Sequence, residues 1–98
     1  MKRETLSPTV EMLLKARGLI EAGWCQGFSH DERVCAVEAL WRAGEGKSFT
    51  MGIAFLELAL PPSSRSVIAL NDTKGTTKAD ILALYDRAIE LALKAEQG

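Results

Sequence analysis

Histidine and tyrosine each occur once in this 98-residue chain, cysteine and tryptophan twice, and proline three times. A catalytic triad or a paired-histidine metal motif has almost no material to draw on. Charge of one sign is also missing. Twelve basic and thirteen acidic side chains leave a formal net charge of −1, which provides neither the basic field from which nucleic-acid binding starts nor an acidic mimic of nucleic acid. Long apolar runs are absent too. The richest window, Met51 to Leu60, is interrupted by Glu57 and closed by Pro61-Pro62, about half of what a membrane-spanning helix needs. Met1 to Thr5 lacks the apolar stretch of a secretion signal. The expected location is cytoplasmic, without membrane association. In that compartment two cysteines stay reduced, so no structural disulfide is expected.

Apolar residues make up 47% of the chain and charged residues 26%, the composition of one ordinary globular domain. Helix signals recur along it, and no strand signal competes. Ser7-Pro8 is a helix start, with Ser7 able to cap free amides and Pro8 suited to the first helical position. Val10, Leu13, Leu14, Arg17 and Ile20 then share one face, and Gly23 is placed to stop the helix in the left-handed conformation. Val34 to Arg42 reads as a second helix, capped by Ser29 or Asp31. Val37, Leu40 and Trp41 face inward, and Gly44-Glu45-Gly46 ends the helix.

Ser48 is expected to cap a third helix to Leu60 that is apolar on nearly every side. Such a helix sits centrally or at a seam with a second copy; the central position is preferred. Pro61-Pro62 breaks the chain. One or two turns follow between Ser63 and Leu70, with Val67, Ile68 and Leu70 inward. Asn71-Asp72-Thr73-Lys74-Gly75 is turn chemistry, and Thr77 with Asp80 forms a capping box. The last helix, Lys78 to about Glu96, repeats Ile81, Leu82, Tyr85, Ala88, Ile89, Ala92 and Leu93 on one face. The expected architecture is all-α: a compact single-domain bundle of four to five helices over residues 1–98, with 1–6 flexible and an irregular loop at about 23–33.

That loop concentrates the chemistry. Cys25, His30 and Cys35 have the spacing of the last three ligands of a retroviral-type zinc knuckle. Ala22 stands where the first cysteine of a knuckle belongs, and Asp31 and Glu32 replace the basic neighbours. A second reading makes Cys25 a nucleophile served by His30 and by Asn71 or Asp72. The plainer account treats the cysteines as small hydrophobes and Asn71-Asp72 as side chains that bond nearby backbone amides and tie down a turn. A functional alternative projects the Asn-Asp pair into a pocket beside Trp24 and Gln26. Lys74-Gly75-Thr76-Thr77 lacks the upstream glycine and preceding strand of a phosphate loop. Trp41 is assigned to the core and Phe28 to the surface.

Three segments together resemble a family of short, functionally uncharacterised bacterial and phage proteins. They are Gly23-Trp24-Cys25-Gln26-Gly27; Cys35-Ala36-Val37-Glu38-Ala39-Leu40, where relatives carry Cys-Ala-x-Gly-Ala-Leu; and Asn71-Asp72 followed by Thr77 and Asp86-Arg87-Ala88-Ile89. The resemblance implies an all-helical domain in which Cys25, Cys35 and Asn71-Asp72 meet, and it brings no established activity. Relatives often have tryptophan where Leu70 stands, vary in length between the two cysteines, and usually lack the histidine.

The resulting expectation is a non-enzymatic protein–protein interaction module, borne by a phage or mobile element, that binds and inhibits or regulates a host protein complex. It has no cofactor and no metal. Trp24, Phe28, His30, Arg33, Arg42 and Lys47 are the candidate contact residues, while Cys25, Cys35, Asn71 and Asp72 are structural fasteners. Zinc-knuckle-like binding of metal or nucleic acid through Cys25, His30 and Cys35 is one alternative. A cysteine-dependent enzyme using Cys25 is the other. A homodimer through residues 51–60 stays open.

Overall fold

Ser7 opens the first helix as expected: its hydroxyl accepts the Val10 amide at 3.1 Å, with Pro8 behind it at the first helical position. The computed structural model describes residues 7–27, 33–45 and 49–97. Among these it holds five helices and no strand: α1 (Pro8–Ala22), α2 (Ala36–Gly44), α3 (Phe49–Leu58), α4 (Val67–Asp72) and α5 (Lys78–Gln97). None of these is long and apolar enough to cross a membrane. The all-α, single-domain expectation is met.

The centre is α1. Val10, Leu13, Ala16 and Ile20 recur on one face and are fully buried, a spacing that suits a helix covered along its length. Its two main neighbours are α2 and α5. Against it, α2 presents Ala36, Ala39, Leu40 and Ala43, and α5 presents Ile81, Leu84, Tyr85, Ala88 and Ala92. At the start of α5, the Thr77 amide donates to Asp80 Oδ2 (2.9 Å) and the Asp80 amide donates to Thr77 Oγ1 (3.2 Å), completing the expected capping box.

Polar ties hold the helices in register. Arg17 grips Asp86 of α5 through Nε (2.6 Å) and Nη2 (3.3 Å) and also reaches Glu21. Arg87 Nε donates to the Ala59 carbonyl just beyond α3, and Lys78 Nζ to the Glu21 carbonyl near the end of α1. These bonds satisfy carbonyls that helix geometry leaves open.

Several local expectations are corrected. Gly23 ends α1 in extended backbone, φ −177°, because the chain must run straight into a bridge with residue 34. Leu14 lies outside the α1 stripe and is exposed. The cap of α2 is Cys35, not Ser29 or Asp31; its sulfur accepts the Glu38 amide at 3.4 Å, so the helix begins at Ala36 rather than at Val34. The end of α2 falls at Gly44-Glu45 as expected, with Glu45 in the left-handed conformation (φ 52°).

Trp41 is not in the core. It is 51% exposed and packs edge-to-face on Phe49, ring centroids 5.4 Å apart. Ile68 also points outward. Helix α3 is peripheral, since the centre is already filled by α1. It buries Gly52 and Leu56 and leaves Met51 and Leu58 exposed on its outer side. The Ser48 cap, like residues 1–6, lies outside the described residues.

Candidate functional site

The irregular segment after α1 is fastened in two steps. First its ends are joined: Val34 N–H donates to the Gly23 carbonyl (3.0 Å) and Cys25 N–H to the Val34 carbonyl (3.1 Å), forming an isolated parallel bridge between Trp24 and Val34. Then α4 reaches in from far along the chain. Asn71 is 1% exposed and spends every hydrogen-bonding position of its amide. Its Oδ1 accepts Trp24 Nε1 (2.7 Å) and the Ala36 amide (2.9 Å); its Nδ2 donates to the Cys25 carbonyl (3.3 Å) and to Asp72 Oδ1 (2.9 Å). Four partners match the full capacity of a carboxamide. Asn71 therefore binds the segment after α1, the first turn of α2 and its own neighbour at once.

Gln26 and Gly27 complete the clasp. Gln26 Nε2 donates to the carbonyls of Asn71 (3.0 Å) and Thr73 (2.8 Å), capping the end of α4. Gly27 sits at φ +73° and donates its amide to Asp72 Oδ1 at 2.7 Å. That left-handed conformation suits glycine. The hydrogen bond from Asn71, and after it the one from Gly27, hold the Asp72 carboxyl below its usual range against a smaller opposing effect of burial. Beneath the clasp, the Tyr85 hydroxyl donates to the Ala36 carbonyl at 2.6 Å. Burial, with the Cys35 sulfur adding to it, pushes the tyrosine pKa far above its ordinary value. Among the described residues, no buried side-chain nitrogen or oxygen lacks a partner.

The Asn-Asp pair thus differs from a turn that bonds its own neighbours. Both residues end α4, and the turn follows at Thr73–Thr76. Most of their bonds reach residues 35 to 47 positions away. The structure brings Cys25, Cys35, Asn71 and Asp72 together. Cys25 is 9% exposed, Cys35 is half-buried, and neither is in a disulfide.

Outside the clasp lies a cleft of about 340 Å³ between α2 and α4, lined by Gly27, Cys35, Val37, Glu38, Ile68, Asn71 and Asp72. Its volume is at the lower end of what small-ligand sites occupy. Val37 and Ile68 supply aliphatic surface, and the carboxylates of Glu38 and Asp72 belong to the same lining. Glu38 is also paired with Arg42 Nε at 2.9 Å. Val37 packs on the core as expected and lines the cleft as well, whereas Ile68, expected inward, is exposed, so the sequence pattern did not mark the cleft. The signal was an aliphatic residue beside a short, weakly periodic helix, which does not reveal its outer face.

Of the candidate contact residues, Arg33 and Arg42 are exposed, and Trp24 is half-buried with its indole N–H committed to Asn71. Phe28, His30 and Lys47 lie outside the described residues. Among the described residues no three His, Cys, Asp or Glu side chains converge to hold a metal ion; the knuckle reading needs His30, which is not among them.

A family model described as a family of unknown function (DUF6197) matches residues 4–91, and the chain belongs to that family. No curated protein and no solved structure is similar enough to add a relative to this assignment.

Proposed function

We propose that this member of the family is a non-enzymatic binding module whose contact surface is the cleft between α2 and α4. The observation that carries this reading is the division of labour at the site. The polar groups that would do chemistry are consumed internally: Asn71 has four partners, Asp72 holds Gly27 and Asn71, and Cys35 caps α2. What faces outward is an aliphatic wall. Ile68 is 57% exposed, and Val37, partly buried against the core, lines the cleft beside it. Trp41 stands one helical turn after Val37 and extends the apolar surface along α2. A rigidly held apolar surface with a polar rim suits protein recognition. The resemblance to bacterial and phage proteins favours a host protein complex as the target, inhibited or regulated by occupancy of this face.

Affinity capture from a bacterial host lysate, with wild-type protein and the Ile68→Ser and Trp41→Ser variants side by side, tests the reading. A partner retained by wild type and released by both folded variants is expected. Capture that ignores both substitutions defeats it.

Self-association through α3 is a second reading. Met51 and Leu58, seven residues apart, share an outer stripe, and Leu58 is 71% exposed. Light scattering that returns the monomer mass at every accessible concentration ends it.

A further inference from the structure

Taking the α2/α4 cleft as a protein-binding site, on which this step rests, the charge around it bears on what enters. Asp72 is the last residue of α4, where the partial charge of the helix end is already negative and a cation would be favoured; no basic residue occupies that last turn. Internal hydrogen bonds from Asn71 and Gly27 keep the carboxylate ionised there. Glu38, the second acid of the lining, sits in the first turn of α2, and its charge is shared with Arg42. Among the described residues no basic side chain belongs to the lining, although Arg42 pairs with Glu38 beside it. Val37 and Ile68 give the lining its aliphatic surface, which an extended methylene chain covers well.

We propose that the cleft receives a long basic side chain, arginine or lysine, from an extended segment of a partner protein, with an aliphatic neighbour in that segment resting on Ile68. The stem lies along Val37 and Ile68, and the cationic head reaches Asp72 and Glu38. Charge complementarity selects this occupant over an acidic segment, which would bring like charge to both carboxylates.

The test is an NMR titration of the full chain with three capped tripeptides: acetyl-Leu-Arg-Leu-amide, acetyl-Leu-Gln-Leu-amide and acetyl-Leu-Glu-Leu-amide. The arginine peptide is expected to shift the amides of Gly27, Val37, Glu38, Ile68 and Asp72. It should bind roughly threefold tighter than the glutamine peptide, the contribution of one partly exposed ion pair, and lose that margin at high salt. Glu38→Gln should shrink the margin, and Ile68→Ser should weaken all three peptides. Asp72 is left intact because its loss would loosen Gly27. Equal binding of the arginine and glutamine peptides, or tightest binding of the glutamate peptide, overturns the charge preference while the protein-binding reading stands. If no peptide moves the cleft amides, the inference falls, and the lysate capture judges the broader reading on its own.

Discussion

The indole of Trp24 hangs from the carboxamide of Asn71, Nε1 to Oδ1 at 2.7 Å, across 47 positions of chain. The same oxygen accepts the first amide of α2. One short side chain therefore sets where the segment after α1 leaves its helix and where the next helix begins. Because both acceptor positions are filled, neither contact can be lost without leaving a donor in a poorly hydrated site.

Asn71→Ala is expected to cost about 2–4 kcal/mol, since it strands the Trp24 indole N–H, the Ala36 amide and the Cys25 carbonyl together. Trp24→Phe removes a single donor and should cost about 1 kcal/mol through the hydrogen bond. In a double-mutant cycle the two changes should couple rather than add. Urea midpoints at constant slope measure all three. A cost below about 1 kcal/mol for Asn71→Ala, at the low end for one lost buried partner, would show that the clasp is ornamental.

Tyr85 makes stability depend on alkaline pH. Its hydroxyl is buried against the Ala36 carbonyl, and its folded pKa is raised by burial first and by Cys35 second. A raised folded pKa means that the contribution is fully present below the unfolded value, about 10, and drains away as pH climbs above it. The loss should approach about 1.4 kcal/mol per pH unit in that window. Tyr85→Phe should be less stable than wild type by about 1 kcal/mol at neutral pH and should lack this alkaline slope. Parallel slopes for the two proteins between pH 10 and 11 would contradict the assignment.

Two helical glycines should respond in opposite directions to alanine. A Cβ on Gly52 would lie 2.5 Å from Met12 Cε and 3.0 Å from both terminal carbons of Leu40, while one on Gly18 meets nothing within 4 Å. Leu40 is fully buried and cannot withdraw. Gly52→Ala should therefore destabilise by about 1–3 kcal/mol. Gly18→Ala, in the exposed interior of α1, should stabilise by about 0.5–1 kcal/mol through helix propensity. Thermal or urea unfolding reads both, and a stabilising Gly52→Ala would mean that α3 does not approach α1 and α2 as closely as described.

The helices were legible because each carries local signals. Ser7-Pro8 and Thr77-Asp80 are caps written within four residues, and the repeats of α1 and α5 cover whole turns of a helix. Residues 86–89 acquire physical roles: Asp86 holds Arg17, Arg87 holds the Ala59 carbonyl, and Ala88 and Ile89 are buried. The position of α3 was not legible. A helix apolar all round has no preferred face, so its sequence cannot say which neighbour claims the centre, and α1 with its continuous stripe did. The clasp was visible only as an unusual residue pair. Nothing local states that Asn71 will accept from Trp24 and Ala36, because those partners are fixed by how α4 packs against α2. The cleft followed the same logic: Ile68 looks like a core residue until the short α4 is docked, and Val37 packs on the core while also lining the cleft.

The cysteines separate the fastener reading from the thiol-enzyme reading. Cys25 lies 9% exposed behind the Trp24–Val34 bridge, with its carbonyl held by Asn71; Cys35 is half-buried at the cleft. Access through the cleft mouth should let a small alkylating agent reach Cys35 directly, whereas Cys25 must wait for the clasp to open. Native-state alkylation followed by peptide mapping is therefore expected to label Cys35 first. Asn71→Ala should raise the labelling rate of Cys25 far more than that of Cys35, because it releases the segment on which Cys25 is carried. Rapid labelling of Cys25 in the wild-type protein, ahead of Cys35 and indifferent to Asn71, would place an accessible nucleophile where the fold has a fastening, and catalysis by that thiol would become the reading to pursue.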